Sequence, residues 1–196
     1  MNLWFRLVYE LLTWRLRSKE SFLAVGRRTF RVWPTDLDIY RHMNNGVFFT
    51  LMDIGRYDIS VRSGAWQRWK KIGWYPVVVA ETITFRKSLK LWQAFDIESK
   101  VLGWDDQAFY FEQRFVVANE VYARAIVRAR FLKRSHGSVS PEMVLTEGGG
   151  WQGEIPVLEP WIVEWAKKTS MPRGSEPAES AVSYTHLRAH ETPEHL

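Results

Sequence analysis

Asp36-Leu37-Asp38-Ile39-Tyr40-Arg41-His42-Met43-Asn44-Asn45 closes a strand-like run and opens the first convincing core helix of the chain. Upstream, Arg28 to Trp33 (RTFRVW) is aromatic and β-branched and stops at Pro34, whose missing N–H suits a strand end. Downstream, apolar residues from Val47 to Ser63 recur at helical spacing, with Val47, Leu51 and Gly55 on one stripe beside Phe48, Met52 and Ile59. Asn44 and Asn45 fall at the N-cap, where an Asn side chain accepts an N–H from the first turn. The junction therefore sets two carboxylates, an imidazole and two carboxamides before a helix end that carries unpaired N–H groups and partial positive charge.

Past a short second helix over Ala65 to Lys71, the apolar period changes from helical to two. Tyr75 to Lys87 is β-branched; in Phe95 to Trp104, Phe95, Ile97, Ser99 and Val101 oppose Asp96, Glu98 and Lys100. Phe109, Phe111, Phe115 and Val117 share a face against Tyr110, Glu112 and Arg114, and Val121, Ala123, Ala125, Val127, Ala129 and Phe131 alternate with Tyr122, Arg124, Ile126, Arg128 and Arg130. Asp105-Asp106 and Asn119-Glu120 turn the chain between these runs, which implies an antiparallel meander with one apolar and one polar face. The three alanines leave room for a thick object on the inner face, and the Val47 helix is the candidate, with Gly55 permitting its close approach. An α+β fold follows, with one long helix wrapped by a curved antiparallel sheet.

The chain has 196 residues, 46% hydrophobic and 15% aromatic, enough for one substantial core. Absence of cysteine excludes disulfides, thiolate metal sites and cysteine nucleophiles. The net charge of +5 leans towards anionic partners: coenzyme A, an acidic carrier protein or anionic lipid. Nucleic acid is not expected, since the arginines are dispersed through alternating strands and no zinc-finger or RNA-binding signature occurs.

Three segments are distinguished: an N-terminal amphipathic helix in 1–20, a domain over 21–170, and a tail over 171–196. Arg6, Glu10, Thr13 and Arg17 form a narrow polar stripe opposite Leu3, Trp4, Leu7, Val8, Leu11, Leu12 and Trp14. Residues 1–17 are too short and too charged to span a bilayer and lack a signal-peptide cleavage site. A cytoplasmic location is expected, with this helix packed on its own domain or a partner, or lying in a membrane interface with its arginines on the wet side. Gly148-Gly149-Gly150 reads as a linker, Pro160 to Lys168 as a short amphipathic helix, and Met171 to Glu179 as disordered. Val182 to Thr192 resembles the in-frame translation of a sequencing-library adaptor, so the histidines at 186, 190 and 195 are not read as metal ligands. No metal or cofactor is expected.

Chemically, Asp38 and His42 can together activate water, or Asp38 can attack a carbonyl carbon directly, with N–H groups near Asn45 and Gly46 holding the developing oxyanion. Acyl transfer to water is the natural reaction class. The same residues also make sense as structure: Asp36 and Asp38 as turn formers, Asn44 and Asn45 as caps, His42 as a structural histidine.

Asp36-Leu37-Asp38 followed by His42-Met43-Asn44-Asn45 resembles the D-x-D-x-x-x-H-x-N-N pattern of hotdog-fold acyl thioesterases, the 4-hydroxybenzoyl-CoA thioesterase-like superfamily. It is especially similar to the plant acyl-carrier-protein thioesterases and to a thioesterase-like group. With that group the likeness extends through Met52 to Arg56, Gly73 to Val78, Phe85 to Leu89 and Leu102 to Asp105. It covers roughly Met1 to Trp165. The resemblance implies a hotdog fold and a homodimer or tetramer with sites at the subunit interface. It also implies hydrolysis of a fatty or aromatic acyl-CoA or acyl-carrier-protein thioester. Carried over, Asp38 matches the catalytic carboxylate, His42 the histidine of the plant enzymes, and the Asn45 backbone the helix start. Tyr40 stands where the plant enzymes have Asn, and its single hydroxyl cannot reproduce a carboxamide's donor and acceptor. The D-x-N-P-x-H pattern of the related hydratases is absent. Tyr40, Asn44 and Gly46 are expected to line the substrate, and Arg86, Lys87 and Lys90 either to meet CoA phosphates or to form a solvated hairpin end. The competing function is a non-catalytic acyl-binding or membrane-associated protein on the same fold.

Overall fold

The computed structural model describes residues 2–13, 17–149 and 156–171. Six strands form one antiparallel sheet: β1 (Gly26–Arg31), β2 (Trp74–Phe85), β3 (Ala94–Trp104), β4 (Phe109–Val117), β5 (Glu120–Lys133) and the short β6 (Ser138–Val139). Their order is β1-β3-β4-β5-β2, with β6 on β5. The β3-β4-β5 meander follows from its tight turns. The outer places of β1 and β2 come from the chain's excursion into the helices α2 (Asn45–Arg62) and α3 (Ala65–Lys71).

α2 is the central helix, with Phe48, Leu51, Met52, Ile54, Gly55 and Ile59 buried. It starts two residues before the apolar periodicity because the Asn44 side chain accepts the Gly46 N–H at 2.8 Å and caps the first turn. Contact with the sheet is made chiefly on β3 and β1. A Cβ on Gly55 would lie 2.9 Å from Ser99 Oγ and 3.1 Å from Gln113 Nε2, so this glycine permits the approach. Of the β5 alanines, Ala123 and Ala125 are buried in the same core as Phe48 and Leu51 of α2, while Ala129 also lines an open groove between α2 and β2. Among the described residues β2 pairs only with β5, and Tyr75, Val78, Val79 and Phe85 remain about two-fifths exposed.

The outer face of the sheet is not uniformly polar. Ile162 and Ala166 of a further helix, α5 (Pro160–Lys168 in the order α4 (Pro141–Gly149), α5), pack on Ala108, Tyr110 and Ile126 as a second small core. Tyr110 donates its hydroxyl to Asp105 Oδ2 at 2.6 Å, and burial pushes its phenol up from the ordinary range. α4 extends through Gly148 and Gly149, which therefore do not form a linker. The adaptor-like stretch and the rest of the tail beyond Met171 lie outside the described residues.

The N-terminal helix α1 (Asn2–Thr13) precedes β1 and is tied to the domain through a polar side chain. Arg6 faces inward: it donates to the buried Asp36 carboxylate at 2.6 Å and to the Arg31 carbonyl at 2.9 Å. Just beyond the helix, Arg17 pairs with Asp58, another buried carboxylate, which also meets Arg62 at 3.3 Å. Buried carboxylates require partners, and these arginines supply them. Consequently Phe5, Tyr9 and Leu12 point outward, 69%, 58% and 73% exposed. The side chains of Leu3, Trp4, Leu7, Leu11 and Trp14 lie outside the described residues.

Candidate active site

The loop from Pro34 to Asn44 is held from both sides. Pro34–Asp36 forms a single 3-10 turn closed by Asp36 Oδ2, which accepts the Trp33 N–H at 2.8 Å while paired to Arg6. The Asn44 N–H returns to the Asp36 carbonyl at 2.8 Å, and the buried Met43 donates its N–H to the Leu89 carbonyl at 2.9 Å. Asp36 is thus a structural carboxylate.

Asp38 sits inside this frame. Its Oδ1 accepts the main-chain N–H groups of Tyr40 at 2.8 Å and His42 at 3.1 Å, and its own N–H donates to the His42 carbonyl at 2.8 Å. This local closure puts Arg41 in the left-handed region at φ 60, uncommon for a residue with a side chain. Oδ2 makes no hydrogen bond among the described residues. The carboxylate bonds the main chain of His42, not its imidazole, so no side-chain dyad is formed.

A cleft of about 230 Å³ opens here, with Asp38, His42 and Asn45 on one side, Met43, Phe48 and Phe85 as its apolar floor, and Arg86 and Lys87 at its rim. The Phe48 and Phe85 rings meet edge to face at 4.9 Å. The rim cations are partly neutralised by Glu120, 2.7 Å from Lys87 and 3.5 Å from Arg86. The Lys87 hydrogen bond, with both cations' charge, holds the Glu120 carboxyl below its ordinary range.

The sequence-derived residues divide. Asp38, His42, Asn45, Arg86 and Lys87 come together in the cleft. Tyr40 is 74% exposed and does not line it, and Lys90 is exposed and meets His42 only through a main-chain bridge. Asn44 is occupied as the cap, and the Gly46 N–H is bound by it. Of the N–H groups of Asn45 and Gly46, that leaves the Asn45 N–H without a partner among the described residues.

A second and larger cavity was not anticipated. It is a groove of about 580 Å³ between α2 and β2, in which Thr50, Asp53, Arg56 and Tyr57 of the helix face Val77 and Val78 of the strand, with Phe111 and Phe131 behind. Its signal in the sequence was twofold: polar residues recurring at helical spacing along α2, and an apolar run at Tyr75 to Val79 that does not alternate.

A curved antiparallel sheet around one long helix, with a carboxylate cleft at that helix's N-terminus, defines a hotdog-fold protein of the acyl thioesterase kind. The chain belongs to the Thioesterase-like superfamily, which it matches over residues 32–173. It is 36% identical over 152 residues to Protein THEM6 of Xenopus laevis, covering 78% of this chain and 72% of that protein. Among solved structures, the YbaW probable thioesterase of Escherichia coli superposes with a TM-score of 0.59 at 21% identity, covering 63% of this chain and 95% of that one. A DHNA-CoA thioesterase of Staphylococcus aureus does so with a TM-score of 0.56 at 11% identity, covering 74% and 90%. At these identities the structural likenesses bear on the fold alone.

Proposed function

We propose that this protein hydrolyses acyl thioesters, with a fatty or aromatic acyl group carried by coenzyme A or an acyl-carrier protein, and that Asp38 is its general base. The observation that carries this reading is one cleft holding a carboxylate oxygen and a helix N-terminal N–H that are both unpartnered among the described residues. Asp38 Oδ2 takes a proton from water, and the water oxygen attacks the thioester carbonyl carbon. The carbonyl electron pair moves onto oxygen, where the Asn45 N–H and the partial charge of α2 stabilise it. Collapse of the tetrahedral intermediate breaks the carbon–sulfur bond, and the departing sulfur takes the proton from Asp38, directly or through His42. The products are a carboxylic acid and a free thiol. Arg86 and Lys87 at the rim suit the phosphates of either carrier. Free-thiol release from an acyl-CoA panel tests the reading: turnover by the wild type and none by Asp38→Asn is expected, whereas binding without thiol release by the wild type overturns it.

One observation favours an added association with membranes. α1 turns Arg6 inward and leaves Phe5 and Leu12 outward beside Tyr9, whose ring meets the Arg28 guanidinium at 5.6 Å. Aromatic and aliphatic side chains on such a face insert at the boundary between headgroups and acyl chains. The protein is expected to co-sediment with anionic phospholipid vesicles, and Phe5→Ser with Leu12→Ser to release it into the supernatant. Equal sedimentation of both proteins would assign α1 to another contact.

A further inference from the structure

The groove between α2 and β2 runs along the same seam as the catalytic cleft. α2 and β2 flank both: the cleft takes Asn45 and Phe48 from the start of α2 and Phe85 from the end of β2, and the groove takes Thr50 to Ser60 and Tyr75 to Val78. Its strand side is apolar, and its helix side is not. Arg56 lines it, with a side chain only 11% exposed.

A network beneath the helix fixes this guanidinium. Gln113, fully buried on β4, donates its carboxamide hydrogens to the Met52 carbonyl at 3.0 Å and to Ser99 Oγ at 2.7 Å. Both donors of Gln113 are thereby consumed, so its oxygen faces Arg56, which donates to it and, with its other terminal nitrogen, to Asp53. Gly55 admits Ser99 and Gln113 this close to the helix. The network therefore holds Arg56 against the groove, and a guanidinium has five N–H donors. Two hydrogen bonds occupy two of them, and among the described residues the others have no protein acceptor. Burial pulls Arg56 below the ordinary arginine range, against the opposing pull of Asp53 and Glu81. Asp53 is 70% exposed and lies at the mouth.

We infer that this groove holds the acyl chain and that Arg56 is a specificity-determining residue, donating hydrogen bonds to a neutral oxygen, a hydroxyl or keto group, in the distal part of that chain. The inference rests on the thioesterase reading above. A neutral oxygen fits better than a carboxylate because Asp53 and Glu81 already set two acidic groups around the one cation. The distal position follows from the helix: eleven residues separate Asn45 from Arg56, roughly 16 Å along the axis, when the thioester carbonyl sits at the Asn45 end. An apolar site with a few fixed polar groups discriminates through those groups, since a substrate lacking the matching oxygen leaves them unpaired.

The test compares lauroyl-CoA, ω-hydroxylauroyl-CoA and the ω-carboxyl analogue by thiol release. The wild type is expected to prefer the ω-hydroxy ester over lauroyl-CoA by about tenfold or more in kcat/KM, and over the ω-carboxyl ester. Arg56→Met should bring the hydroxy-to-plain ratio near one. Equal kcat/KM for the ω-hydroxy and plain esters in the wild type overturns the inference while leaving the thioesterase reading intact. If no ester releases thiol, the hydrolytic reading fails, and calorimetric binding of free ω-hydroxylaurate against laurate decides the groove: tighter binding of the hydroxy acid, lost in Arg56→Met, supports it, and equal binding overturns it. Should Arg56→Met fail to fold, Arg56→Lys replaces it, keeping the charge but losing the fork, and a reduced preference is again expected.

Discussion

Asp38 has two carboxylate oxygens, and the fold employs one. Oδ1 accepts the N–H groups of Tyr40 and His42, and Oδ2 is left to the cleft. Asp38→Asn keeps an oxygen for both N–H groups while losing the base. It is expected to abolish thiol release with an unchanged melting temperature. Asp38→Ala loses the two acceptor contacts as well and should cost about 1–3 kcal/mol in denaturant unfolding. His42→Ala, removing a side chain that lines the cleft without bonding Asp38, should slow turnover by about 100-fold, the lower end for an acid–base group. Retention of full activity in Asp38→Asn would make Asp38 a turn residue only. Asp36, two positions away and equally acidic in the sequence, differs through its surroundings: Arg6 and the Trp33 N–H claim Oδ2.

Among elements, the cross-strand cluster on β1, β3 and β4 gives the clearest pH dependence. Glu98 is bonded by Arg27 and by Arg114, the latter at 2.8 Å, and the Arg27 hydrogen bond chiefly holds its carboxyl below the ordinary range. A carboxyl depressed in the folded state stabilises above its unfolded pKa, about 4.3 for Glu, and the gain disappears as pH falls through the lower folded value. Glu98→Gln should therefore lower the melting temperature at pH 7, and the gap to wild type should narrow steadily below about pH 4. A gap constant with pH would assign the loss to packing. The meander was legible because β3, β4 and β5 keep a period of two between tight turns, and α2 because its stripe and cap agree. Asp38, His42 and Asn45 were legible as a group because they adjoin one helix end, while Arg86 and Lys87 were placed by a strand end. What stayed hidden depends on partners distant in sequence. The inward turn of Arg6 and Arg17 was not legible because it depends on the buried carboxylates Asp36 and Asp58, thirty and forty-one residues further along the chain. Tyr110 read as an outward polar neighbour because α5, which covers it, lies some fifty residues further on.

At the scale of the whole molecule, the sheet ends in β2 with an unpaired edge and exposed apolar side chains, a surface that stable proteins cover or blunt. The only proline of this strand, Pro76, lies near its start, its only charge is Glu81, and Val77 to Val79 between them form an uncharged run. Membership of the Thioesterase-like superfamily, together with the family resemblance, suggests what covers it: a second copy, pairing β2 with β2 across a two-fold axis and bringing two α2/β2 seams side by side. Val79 lies near the centre of the strand, at the bulge between the Val78–Ala129 and Ala80–Arg128 pairs, so its replacement spares the β5 ladder. In the dimer, lysines at this position would approach one another across the axis and repel. The wild type is expected to sediment at twice 23.1 kDa, or at a multiple of that dimer, and Val79→Lys at 23.1 kDa with its circular dichroism spectrum preserved. Thiol release should fall with dissociation if the seam needs its neighbour. A monomeric wild type, or a Val79→Lys protein that remains dimeric, would place association on another face and leave β2 a solvent edge.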